Sequence, residues 1–278
     1  MRKAYIGWMV VVALVASWAG NIYSHETGRL PEGRFLSHLI EVTDSPGDSF
    51  MLYYIANNDD KRLPVSVSIE GLPALQFYPI SAYMTFRNQK LYRLIGHFEP
   101  GEQKEDSPSE AAAPLTIRSV DVNYSDGTRG TSDIGKRIVY RGEDRGSDGS
   151  IGGVSTSGST VGTRTATFRV EKPVTATGFS SSLLNEIGSA FTYELYFGTE
   201  TAVFPRGIEA GTSISLMAAF PVPVNSQLYL QPVAMRLRLA YTDKSGIDRV
   251  QMIPMERHPY PTQSAIREYV KAQRRSKE

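Results

Sequence analysis

The sequence predicts an all-β fold: one or more antiparallel β-sandwich-like domains behind an N-terminal transmembrane or signal-anchor helix, closed by a short C-terminal helix. Three observations carry the prediction. An uncharged apolar run follows Met1-Arg2-Lys3 directly. Beyond it, apolar and polar residues alternate with a period of two in short runs divided by Gly, Pro, Asn and Asp, the pattern of strands with one wet face. Helical periodicity is confined to Ser181–Gly188 and to a terminal stretch, Thr262–Lys277, behind Pro259 and Pro261.

The apolar run extends from Ala4 to Ala19. A charge at the centre of a bilayer costs roughly 2.5–3.5 kcal/mol, which is why spanning runs exclude charges. Basic residues ahead of the run and none shortly after it orient the N-terminus inside and the remainder outside. Tyr5 and Trp8 lie toward one end, Trp18 and Tyr23 toward the other, as interfacial aromatics do. The expectation is a single-pass anchor reaching Tyr23, with the bulk of the chain extracytoplasmic. The alternative is a signal peptide cut before Gly20, where Ser17-Trp18-Ala19 supplies small residues at the required spacing. A buried core helix is the third reading.

Composition fits an exported chain. There is no cysteine, which excludes disulfides, zinc-thiolate sites, lipoprotein acylation and thiol catalysis. Such a domain must be held by its core, and about 250 residues suffice for one. The net charge of +1 gives no electrostatic case for a nucleic-acid partner.

Strands are expected at Phe50–Ile55, Val65–Glu70, Lys90–Phe98, Thr165–Val170, Thr192–Phe197, Ile214–Phe220 and Met235–Tyr241. Leu115 and Ile117 share one phase, whereas Val120, Val122 and Tyr124 take the other. A β-bulge accommodates that one-residue shift. Ser125-Asp126-Gly127-Thr128 then reads as a tight turn into a return strand, Ile134–Tyr140. Leu237–Tyr241, Thr242–Gly246 and Val250–Ile253 repeat that layout, through hairpin chemistry or through duplication of one unit.

Composition divides the chain into an anchor or signal peptide (1–24), a small β domain (25–100), a linker (101–114), a larger sandwich domain (115–258) and a basic C-terminal helix (259–278). The stretch 142–162, dense in Gly and Ser, is expected to be a long mobile loop of the larger domain.

Chemical motifs are weak. The Gly/Ser stretch lacks the Gly-Lys-Ser/Thr ending of a P-loop and contains no G-x-G-x-x-G. Residues 144–149 have the flavour of a calcium loop, but Ser155 stands where the bidentate glutamate belongs. His25, His38, His97 and His258 share no metal-binding spacing, and His38 reads as a strand residue. No catalytic, metal or cofactor residues are therefore expected. The C-terminal helix sets Ala265, Ile266, Tyr269, Val270 and Ala272 on one stripe beside Arg267, Lys271, Arg274, Arg275 and Lys277. Those five cations are the candidate contact with an anionic lipid or envelope surface; an ordinary docked terminal helix is the alternative.

The expected function is a non-catalytic binding, accessory or scaffolding module of the cell envelope. Its expected partners are the membrane, through the N-terminal helix, and a membrane protein or envelope polymer. The alternatives are a hydrolase of envelope polymers and a self-assembling surface protein.

Overall fold

The computed structural model describes residues 2–45, 47–99, 113–140, 149–158, 162–223 and 226–276. Helix α1 (Arg2–Thr27) leads into β1 (Arg34–Phe35), β2 (His38–Thr43) and β3 (Ser49–Asn57). Next come β4 (Pro64–Ser68), β5 (Leu75–Phe77), β6 (Ser81–Thr85) and β7 (Gln89–Phe98). Then follow β8 (Leu115–Tyr124), β9 (Arg129–Tyr140), β10 (Ile151–Gly158), β11 (Thr163–Val170) and β12 (Val174–Ser180). After the short α2 (Leu184–Ile187) lie β13 (Thr192–Phe197), β14 (Glu200–Thr201), β15 (Arg206–Ile208) and β16 (Ser213–Ala219). The chain closes with β17 (Val233–Thr242), β18 (Asp248–Arg257) and α3 (Gln263–Arg275).

The molecule is mostly β, in antiparallel sheets. Strands β1, β3, β7, β5 and β6 make one five-stranded sheet, and β10, β11, β16, β13 and β14 another. Between them runs an eight-stranded sheet ordered β15-β12-β17-β2-β9-β8-β4, with β18 also paired to β17. The sheet is mixed, because β2 runs parallel to both β17 and β9. Strands β2 and β4 come from the 25–100 segment, so this sheet crosses the boundary that composition draws at 101–114.

Two cores lie on opposite faces of the eight-stranded sheet. Alternation along β2 shows it: Ile40 and Val42 enter a core with β3, β7 and β8, whereas Leu39 enters the one with β11, β16 and β17. Strand β9 divides likewise, Val139 to the first core and Ile138 and Tyr140 to the second. Every residue of β2 is buried, as expected where parallel strands are covered on both faces. The layering is consistent with β-sandwiches.

The β8–β9 hairpin forms as its sequence phases require. Its register slips between Ile117 and Ser119, and Gly127 turns the chain at φ +81°, a conformation glycine adopts without a Cβ clash. The β17–β18 hairpin is also formed, with Gly246 at φ +78°. Gly135 is needed for a different reason: at φ +83°, a Cβ there would run into the backbone of His38 across the parallel β2–β9 pair.

Two expectations change. Val65 is 60% exposed although it shares a phase with buried Val67 and Ile69. A register shift between Pro64 and Ser66 turns it outward. The loop expected over 142–162 contains β10, an edge strand on β11; backbone pairing needs no apolar side chains. Residues 142–148 and 159–161 of that stretch, with all the calcium-like residues but Gly149, lie outside the described residues, as does most of the 101–114 linker. Among the described residues no helix is long and apolar enough to cross a membrane.

Candidate anionic-surface site at the C-terminal helix

Helix α3 starts where the Thr262 side chain accepts a hydrogen bond from the Ala265 N–H at 3.2 Å, satisfying one of the unpaired donors of the first turn. Its apolar stripe does not face solvent. Ile266 and Val270 pack with Leu30, Leu36, Tyr53, Ile55, Leu91 and Leu230 on the outer side of β3 and β7. The docked arrangement therefore holds for the stripe, and only the polar side of α3 is available to a partner.

The five candidate cations separate. Arg267 and Lys271 are exposed on α3 and line one open cavity of about 610 Å3. Arg274 points elsewhere, donating to the carbonyl of Glu26 at 2.5 Å and toward that of Arg29 at 3.4 Å. It thus sits at the negative end of the α1 dipole, where a cation is stabilising. Arg275 is exposed, and Lys277 lies outside the described residues. Lys271 also donates to Glu268 at 2.6 Å, an exposed pair that contributes little to stability.

Sequence reasoning missed Arg87. It sits in the turn between β6 and β7, and its backbone N–H donates to the Gln263 side chain at 2.9 Å, across 176 residues of chain. That bond brings its side chain to the same cavity as Arg267 and Lys271. The other walls are polar: Asn21 and Thr27 of α1, with Asn88, Gln89 and Gln263. Among the described residues, neither Arg87 nor Arg267 forms an ion pair.

The end of α1 is fixed to this wall by amides. The Gln89 side chain donates to the Gly28 carbonyl at 2.7 Å. Asn57 accepts from the Leu30 N–H at 2.9 Å and donates to its carbonyl at 3.0 Å. Arg29 bonds Asp59 at 2.7 Å, and that bond raises its pKa above the ordinary value.

Elsewhere, polar groups are buried as structure. Glu41 is fully buried on β2. One carboxylate oxygen accepts from Tyr140 Oη at 2.9 Å and the Ser182 N–H at 2.8 Å. The other accepts from Ser181 Oγ at 2.8 Å and the Arg236 N–H at 2.9 Å. These bonds tie β2 to β9, β17 and the segment after β12. Burial, first, and the Glu41 charge then push the Tyr140 hydroxyl up to about 12, against an opposing hydrogen bond with Ser182.

His38 is buried too. The Tyr53 N–H donates to its Nε2 at 2.8 Å, so Nδ1 carries the proton and donates to the Ile134 carbonyl at 3.0 Å. His258 Nδ1 lies 3.0 Å from Tyr53 Oη, and its Nε2 is 3.5 Å from Glu256. His97 stacks on Tyr78 at 4.5 Å. Among the described residues, no three His, Asp or Glu groups are placed to share a metal ion. Comparison with protein-family models and with curated proteins finds no match for this chain.

Proposed function

We propose that the chain is a single-pass, membrane-tethered β-sandwich protein whose body lies outside the cytoplasm and acts as a binding, accessory or scaffolding module. The observation carrying the reading is the state of α1. Trp8, Met9, Val12, Leu14, Val15, Trp18 and Ile22 are all more than half exposed. At 100° per residue these positions cover a little over half of the helix circumference, and none enters the three buried clusters. An apolar helix whose described side chains the body leaves uncovered has a hydrocarbon environment as its natural cover. Arg2 and Lys3 precede the apolar run and set the direction, N-terminus inside.

The test is flotation of the full chain with neutral phosphatidylcholine vesicles, followed by alkaline washing. The reading expects the chain to float and to survive the wash. A chain that stays with the soluble fraction contradicts it.

A second reading, self-assembly through a sheet edge, is favoured by β10. This strand ends its sheet and carries neither a charge nor a proline, two of the devices by which edges are protected; its one such device is the register shift between Gly152 and Ser155. Sedimentation at rising concentration tests it: growth of a dimer or larger species supports assembly, and a persistent monomer removes it.

A further inference from the structure

We infer that the cavity between α1, the β6–β7 turn and α3 is a binding site for the headgroup of an anionic phospholipid, held through its phosphate by Arg87, Arg267 and Lys271. This inference rests on the membrane-tethered reading and adds a ligand to it.

Position is the first argument. The apolar run of α1 ends near Ala19, and exposed Trp18 marks the depth of an interface. Asn21, one of the cavity walls, lies three residues beyond Trp18, about 4.5 Å along the axis. A bilayer around α1 therefore puts its phosphate layer at the mouth of this cavity. The bonds from Gln89 to Gly28 and from Arg274 to Glu26 hold α1 against the body at that level.

Charge is the second argument. Among the described residues, three cations and no carboxylate line the space, and its remaining walls are mostly amides. Guanidinium groups match phosphate oxygens with paired N–H donors, whereas the amides can donate to or accept from headgroup hydroxyls. The Arg87 and Arg267 side chains are free of ion pairs among the described residues. Lys271 is shared with Glu268, an exposed bond that a phosphate can replace. The volume of about 610 Å3 falls within the size range of small-molecule sites.

The experiment places the full chain in bilayers of phosphatidylcholine with a minority of phosphatidylglycerol. The lipid retained is then weighed by native mass spectrometry. Wild type should retain phosphatidylglycerol far above its share. The variant Arg87→Gln/Arg267→Gln should lose that enrichment by about fivefold for each cation removed. Arg118→Gln/Arg129→Gln changes net charge equally at exposed positions outside the cavity and should retain wild-type enrichment. Inorganic phosphate at matched concentration should not displace the lipid.

Equal enrichment in wild type and the Arg87/Arg267 variant overturns the assignment. So does an equal loss in the Arg118/Arg129 control, which would indicate diffuse attraction. Displacement by inorganic phosphate overturns the lipid as ligand. Failure of the chain to enter pure phosphatidylcholine bilayers is read separately, and removes the tethered reading along with this one.

Discussion

Lowering the pH from 7.5 to 5 should cost the fold about 2 kcal/mol through His38 alone, and replacing His38 with Gln should remove that cost. Burial, above all, and the neighbouring Arg137 cation hold this imidazole down to about 4 from its ordinary 6.5, against a bond to Ile134 that favours the charged form. The unfolded chain therefore binds a proton between about pH 6.5 and 4 that the folded chain refuses. Because the folded value is depressed, the contribution of neutral His38 is fully present above about 6.5. It is lost as pH falls through that window, and the loss saturates near 3 kcal/mol below pH 4. Geometry explains the refusal: Nε2 accepts from the Tyr53 N–H, so a second ring proton would face a donor. The assay is urea unfolding of the full chain in neutral detergent, followed by far-ultraviolet circular dichroism. His258 is depressed in the same direction, mainly by burial and against the pull of Glu256, so His258→Gln is measured beside it. His38→Gln is expected to be less stable at pH 7.5 but to have a flatter pH dependence. An unchanged difference between pH 7.5 and 5 in His38→Gln refutes the reasoning.

Two core substitutions should move stability in different directions. Glu41→Gln keeps the shape but faces an NH2 toward two donors that now bond a carboxylate oxygen. A loss of about 2–4 kcal/mol is expected, read as a lower urea midpoint; a midpoint equal to wild type contradicts the four-donor account. Arg137 is fully buried over the Phe50 ring at 3.0 Å, and its guanidinium nitrogens have no hydrogen-bond partner among the described residues. Burial drives its pKa well down. Arg137→Met exchanges that charge for an apolar chain of similar length, so an equal or higher melting temperature is expected. A loss above about 2 kcal/mol would show that the guanidinium has a stabilising partner.

What the sequence disclosed was what period two encodes locally. Thr192–Phe197 matches β13 end to end, and the bulge before Val120, the turn at Gly127 and the return to Tyr140 are formed as their phases require. These signals survive because hairpin partners are near neighbours and one face of each strand is wet. Strand β2 has neither property. It pairs with β9 and β17, far along the chain, and both its faces are covered, so His38 and Glu41 stand among its apolar residues without an alternation to announce them. The edge strand β10 was hidden because Gly, Ser and Thr read as loop until a neighbour supplies hydrogen bonds. The candidate site was legible only in part. Arg267 and Lys271 are visible as a basic helix face, but Arg87 joins them only through the turn between β6 and β7 and its bond to Gln263. Arg274 looked equivalent to its neighbours until the end of α1 gave it carbonyls to bind.

The most direct test of the central claim is the N-terminal sequence of the mature protein, taken together with its partition between membrane pellet and supernatant. The tethered account predicts an intact N-terminus beginning at or next to Met1, recovered in the pellet after alkaline washing. A mature chain that begins near Gly20 and is found in the medium would contradict it.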